Sequence, residues 1–201
     1  KMVALALSYL SASGITDISQ PLLDRLAAES GELVRLAVID GDQLTWVAKA
    51  QGARSGLRYD PDAGLVVYLP ATANGLAWLS SVSEEKALQL IAAQGTERLA
   101  SMGPNAPKSL SEVMEQVRLS RERGYGMVQE TYEKGTSAVA VAILRPGTNE
   151  PIGALSIAGP SVRLPEERLA ELAVKVRECA DDLALASAGS PIFGGAKEAT
   201  S

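Results

Sequence analysis

Histidine is absent from the 201 residues, and cysteine and phenylalanine occur once each. Without an imidazole, Ser-His-Asp and Cys-His nucleophile chemistry, histidine-ligated zinc and histidine pH switching are unavailable within this chain. The lone cysteine, Cys179, forms no internal disulfide and supplies no thiolate cluster for a metal. Basic charge is also short: 19 Lys and Arg face 24 Asp and Glu, a formal net charge of −5, which argues against phosphate neutralisation as this chain's business. No apolar run approaches the roughly 20 residues of a membrane-spanning helix. The glycines near Gly124 and Gly126 form neither a dinucleotide nor a phosphate-loop fingerprint, so no cofactor is expected.

What is present reads as one α+β domain with appendages, since a chain of this length can bury one substantial core. Ser19 suits a helix cap with Pro21 in the first turn, and Leu22, Leu23, Leu26 and Ala27 give one apolar stripe that Gly31 ends. Asp40-Gly41 is a hairpin turn between strands at Leu33 to Ile39 and Leu44 to Ala50. The stretch Gly52 to Gly64 lacks periodicity and reads as an exposed loop, and Leu65 to Leu69 reads as a further short strand. Helices are expected from the Thr72–Gly75 loop to about Ser80, from Ser83 to Gly95, and from Ser109 or Ser111 to Gly124. Strands follow at Tyr125 to Thr131, Ser137 to Leu144 and Ile152 to Gly159, the last two separated by Pro146-Gly147. Pro165 then opens a helix in which Leu169, Leu172, Ala173, Val176, Cys179, Ala180 and Leu183 repeat at helical spacing. Cys179 on that stripe reads as a buried structural thiol.

At the amino terminus, Lys1, Met2 to Leu7 and Ser11-Ala12-Ser13 have the outline of a signal peptide. The chain beyond offers no cysteine framework of the secreted type, which favours an apolar helix packed on its own domain or on a partner.

Along the last two strands, Ala138, Ala140 and Ala142 share one face and Val139, Val141 and Ile143 the other, while Ala154, Ser156 and Ala158 oppose Leu155 and Ile157. One sheet face is small and the other bulky. On the residues alone, the small face serves equally to admit a helix at close range or to leave a hollow for a small molecule.

The block Arg121 to Leu164, with its R-G-Y start, central Gly135, A-L-S-I-x-G-P strand and following Arg163-Leu164, resembles the effector-binding domain of IclR-type bacterial transcription regulators. The resemblance covers roughly residues 20 to 188. It includes Leu23-x-x-Leu26-Ala27-x-x-Ser30-Gly31-Glu32 with the hairpin after it, and the stretch Leu69 to Leu79, similar to the family's P-L-H-x-T-x-x-G-K-A motif. Tyr68, Pro70 and Leu76 depart from that motif where it has Pro, His and Lys. The resemblance implies a profilin-like or GAF-like architecture, with a mixed or antiparallel sheet of about six strands and helices on both faces. It implies a linker helix remnant at 1–18 and an effector-binding domain at 19–188, and the small, polar composition of 189–201 reads as a disordered tail. A winged helix-turn-helix domain is not found in this sequence, so DNA contact is expected only through such a missing domain. Partners implied are a small organic acid effector and further copies of the chain, as a cytoplasmic homodimer or homotetramer; no membrane partner is expected.

The resemblance also places the effector between the sheet and the loop that starts the helix at Gly75 to Leu79. The residues carried over are Thr72, Ala73, Asn74 and Gly75 in the loop and Val128, Ala138, Ser156 and Ala158 on the strands. Free N–H groups at a helix start form an anion site, and Gly75 permits close backbone approach. Val128, Ala138 and Ala158 stand where many relatives carry an acidic residue, a Cys and a second Ser. An aromatic or branched acid is therefore expected in preference to a small keto acid. Arg54 and Arg58 are candidates to meet the acid from outside. The alternatives are a dimerisation module without a ligand, or a small-molecule enzyme using Glu130 and Glu133 as acid and base.

Overall fold

The computed structural model describes residues 15–61 and 64–187. The expected tail and positions 1–14 of the expected linker helix lie outside them.

Helix α1 (Ile15–Ser30) leads into a hairpin of β1 (Leu33–Asp40) and β2 (Gln43–Gln51). A short 3-10 turn at Leu69–Ala71 precedes α2 (Ala73–Ser81) and α3 (Glu84–Gln94), and a second 3-10 turn at Glu97–Ser101 precedes α4 (Leu110–Arg123). Strands β3 (Gly126–Gln129), β4 (Thr136–Leu144) and β5 (Pro151–Pro160) follow, and α5 (Glu166–Ser187) closes the described chain. Ser83 and Ser109 cap α3 and α4 as their positions suggest, each accepting a hydrogen bond from the backbone N–H three residues on. Ser19 does not cap α1. It is buried inside a helix that starts at Ile15 and carries Pro21 within it, local capping preference having yielded to packing of the Leu23, Leu26 and Ala27 stripe.

The strands form one antiparallel sheet in the order β2-β1-β5-β4-β3. The sheet has five strands rather than six. Leu65 to Leu69 does run antiparallel beside β2, with Val67 N–H donating to Leu44 O at 2.7 Å and Trp46 N–H to Leu65 O at 3.1 Å. Only the Thr45–Val66 bridge forms before the chain coils at Leu69–Ala71, where Pro70 has no N–H to extend a ladder. Strand β3 is shorter than expected for a related reason. Glu130 adopts a left-handed φ of 51°, which turns the chain out of the sheet.

The two faces of the sheet pack as the alternation of small and bulky side chains requires. Val34, Leu36, Val139, Val141, Ile143, Leu155 and Ile157 meet α1 and α5 in one core. Ala37, Ala140 and Ala154 join α2, α3 and α4 in the other. On α5, Leu169, Leu172 and Val176 are completely buried, and each such side chain contributes about 1.5 to 3 kcal/mol by leaving water. The small face brings α2 very near: a Cβ on Gly126 of β3 would lie 2.3 Å from the carbonyl oxygen of Ala73. The first turn of α2 is thereby held against β3, and the helix also packs on β4 and β5.

Candidate functional site

Three small or modest side chains form a row across the sheet, because the register pairs Val128 with Ala138 and Ala138 with Ala158. The next row places Arg35 of β1 beside Ser156 of β5. Over these rows lies the start of α2. Thr72 caps it: its Oγ1 accepts from Gly75 N–H at 3.1 Å and donates to Tyr68 O at 2.9 Å. The N–H groups of Ala73 and Asn74 have no acceptor within their own helix, since the first helical bond is Leu76 N–H to Thr72 O. Tyr59 from the loop after β2, Tyr132 from the β3–β4 connection and Thr136 at the start of β4 line the same small cavity.

The cavity lining contains Thr72, Ala73, Asn74, Val128, Ala138 and Ala158 from among the residues singled out in the sequence. Gly75 and Ser156 are outside it. The space beside Gly75 is already taken, since a Cβ there would lie 2.2 Å from Leu69 O and 2.4 Å from Leu69 Cα; the close approach it permits is to the preceding turn. The Ser156 hydroxyl is buried and donates to Arg35 O at 3.4 Å. Asn74 also serves the fold, with Oδ1 accepting from Trp46 Nε1 at 3.4 Å and Nδ2 donating to Ala154 O at 3.3 Å. What α2 offers to the cavity is therefore backbone N–H and small surface.

The residue that sequence reasoning missed is Arg35. Its side chain sits on the cavity side of the central strand β1, 7 % exposed, with the guanidinium carbon 3.9 Å from the centre of the Trp46 ring and 5.6 Å from that of Tyr59. Its Nε is buried without a hydrogen-bond partner, and no carboxylate pairs with it among the described residues. Burial lowers its proton affinity, and the only influences in the other direction come from the hydroxyls of Tyr59 and Tyr132. Burial in turn raises the Tyr59 hydroxyl above its usual range. The signal was in the sequence: Arg35 is the one charge in the apolar run Leu33-Val-Arg-Leu-Ala-Val-Ile39, on the parity of Leu33 and Ala37. The arginines considered instead stay in solvent. Arg54 is exposed, and Arg58 pairs with Asp60 at 3.0 Å.

Other groups weighed as chemistry are arranged as structure. Glu130 accepts from Gly135 N–H at 3.2 Å and so closes the β3–β4 turn, while Glu133 is exposed. The Cys179 thiol faces α1, 3.8 Å from Leu22 O, and burial pushes its pKa up to about 11, away from the thiolate needed for reactivity. A larger open groove of about 330 Å³ lies between β3 and α4, but its charged residues are engaged: Glu112 accepts from Lys108 N–H, Glu115 pairs with Arg118, and Arg123 donates to Tyr125 O.

Known proteins resemble this chain in sequence and fold. The family model described as "Bacterial transcriptional regulator IclR C-terminal" matches residues 7–185. The acetate operon repressor of Salmonella typhimurium is 30% identical over 184 residues, covering 91% of this chain and 66% of the repressor. The transcriptional repressor IclR of Escherichia coli K12 is 29% identical over 183 residues, covering 90% of this chain and 65% of that protein. The chain thus spans just under two thirds of the length of these curated relatives. Among solved structures, the IclR protein of Thermotoga maritima has the same fold with a TM-score of 0.78 at 24% identity, over 92% of this chain and 73% of that one. The C-terminal domain of the E. coli regulator KdgR gives 0.72 at 22% identity, over 86% of this chain and 97% of that one. A family model matched over residues 7–185, nearly the whole chain, makes this protein a member of the bacterial transcriptional regulator IclR C-terminal family.

Proposed function

We propose that the domain is the effector-sensing and oligomerising part of a cytoplasmic IclR-type regulator, binding a small organic acid in the cavity between the start of α2 and the small face of the sheet. The observation that carries the reading is the convergence on one small cavity of the helix-start residues Thr72, Ala73 and Asn74 and the row Val128, Ala138, Ala158. Helix-start N–H groups favour an anion, and the row favours an apolar body. Two relatives named as repressors support regulation rather than catalysis, and their greater length leaves room for a winged helix-turn-helix domain that contacts DNA. No helix of the described residues is long and apolar enough to cross a membrane. The effector acts by favouring one arrangement of a homodimer or homotetramer over another, and a coupling of about 1 to 3 kcal/mol is ordinary for such a device.

A thermal-shift screen against aliphatic and aromatic acids tests the reading. At a hundredfold excess over its dissociation constant, a bound acid stabilises the domain by about 2.7 kcal/mol, or roughly 5 to 10 °C for a chain of this size. Branched or aromatic acids are expected to shift the melt more than glyoxylate, and Ala138→Trp, by filling the space over Ala158 and Val128, abolishes the shift. A full shift retained in Ala138→Trp moves the effector to another site.

A further inference from the structure

The geometry points to Arg35 as the carboxylate anchor of this site, and to small monocarboxylates as the class of ligand it takes. The inference rests on the cavity being the effector site. A guanidinium removed from water without an anion is costly, and the structure leaves Arg35 in that condition inside a wall otherwise made of aromatic rings and small side chains. Its guanidinium carbon lies 3.9 Å from the centre of the Trp46 ring, a contact that holds the group in place without using any of its donors on a carboxylate. The unpartnered Nε is on the side edge of the fork, where Nε and one terminal nitrogen together match the two oxygens of a carboxylate. A ligand carboxylate supplies the missing charge and acceptors at once.

The same surroundings limit the ligand to one such group. Among the described residues Arg35 is the one cation in the lining; the other side-chain donors there, among them the Tyr59, Thr72, Tyr132, Thr136 and Ser137 hydroxyls and the Asn74 amide, carry no charge to hold a second carboxylate. Lys49, next to Arg35 in the register, is held away by Asp60 at 2.7 Å and by Pro61 O at 3.1 Å. The free volume is about 20 Å³, room for about one water, so the walls must move apart as a ligand enters.

Calorimetric titration of the whole chain with isovalerate and phenylacetate, their amides, and succinate tests this. The monocarboxylates are expected to bind, and the amides and succinate to bind at least roughly tenfold more weakly. Arg35→Met should lose roughly tenfold to a hundredfold in affinity for the acids and none for the amides, with Arg35→Lys in between. Amides binding as tightly as acids in the unaltered protein overturn the anchor without reference to any variant. Acids that lose affinity in Ala138→Trp but not in Arg35→Met leave the cavity as the site and remove Arg35 from the role. Acids indifferent to Ala138→Trp overturn the cavity and the anchor together, and failure of both monocarboxylates to bind overturns the ligand class.

Discussion

A single side chain sets the character of the site. Arg35 is unusual because position and chemistry disagree: a central strand buries its residues, and this one carries a charge that nothing among its described neighbours neutralises. The cation–π contact with Trp46 offsets part of that cost, since a desolvated contact of this kind is worth up to about 2 kcal/mol. The remaining imbalance has a measurable consequence in the unliganded protein. Arg35→Met keeps the apolar stem against Trp46 and removes the unsatisfied charge, so the empty domain should become more stable by about 1 to 3 kcal/mol, read as a higher midpoint in urea with an unchanged slope. A clear loss of stability would mean that the guanidinium is well satisfied in the native state. Combined with weaker acid binding, the gain expected here is the trade between stability and function seen where a site holds a group for its ligand.

At the scale of the element, the start of α2 is a junction. Thr72 caps it, Asn74 ties it to Trp46 on β2 and to Ala154 on β5, and Gly126 lets its first turn lie on β3. Sequence reasoning assigned Gly75 to the ligand, whereas the space a Cβ would need there is taken by the backbone of the chain's own turn at Leu69–Ala71. The distinction changes an expected outcome. Gly75→Val should not leave the fold intact with a weakened site; it drives a side chain into the Leu69 backbone and should cost about 3 kcal/mol of stability, visible as a lower melting temperature with no acid present. A Gly75→Val protein that melts normally would show that the turn can move aside. The missed features around this element have one physical cause in common. Tyr59, Tyr132 and Arg35 are far apart along the chain and become neighbours only when the hairpin, the loop after β2 and the β3–β4 turn close on the same space.

For the whole molecule, the acidic balance argues against holding nucleic acid by phosphate neutralisation. Sedimentation of this chain is expected to show a dimer or tetramer, and gel shifts with duplex DNA at physiological salt are expected to be negative. A strict monomer would count against the oligomerising role, and tight sequence-selective shifts would place DNA reading in this domain. Exposed Leu57, Leu65 and Val66 on the loop after β2 and Val162 after β5 make those segments the first to probe when the interface is mapped.

By itself the sequence determined the α+β class, the hairpin at Asp40-Gly41, the small and bulky sheet faces, and the α5 stripe with its buried cysteine. Those features are local: a turn dipeptide, a period of two and a helical spacing each act within a few residues. The tertiary structure decided what needed distant parts of the chain. It stopped Leu65 to Leu69 short of being a sixth strand, because Pro70 and the turn after it had to reach the start of α2. It also determined which of several arginines met the cavity. Arg54 and Arg58 had the freedom of a loop and stayed in solvent, while Arg35 was carried inward by strand parity and the antiparallel register. Charge on a strand is read from its own residues, but whether it finds a counter-charge depends on every element packed around it.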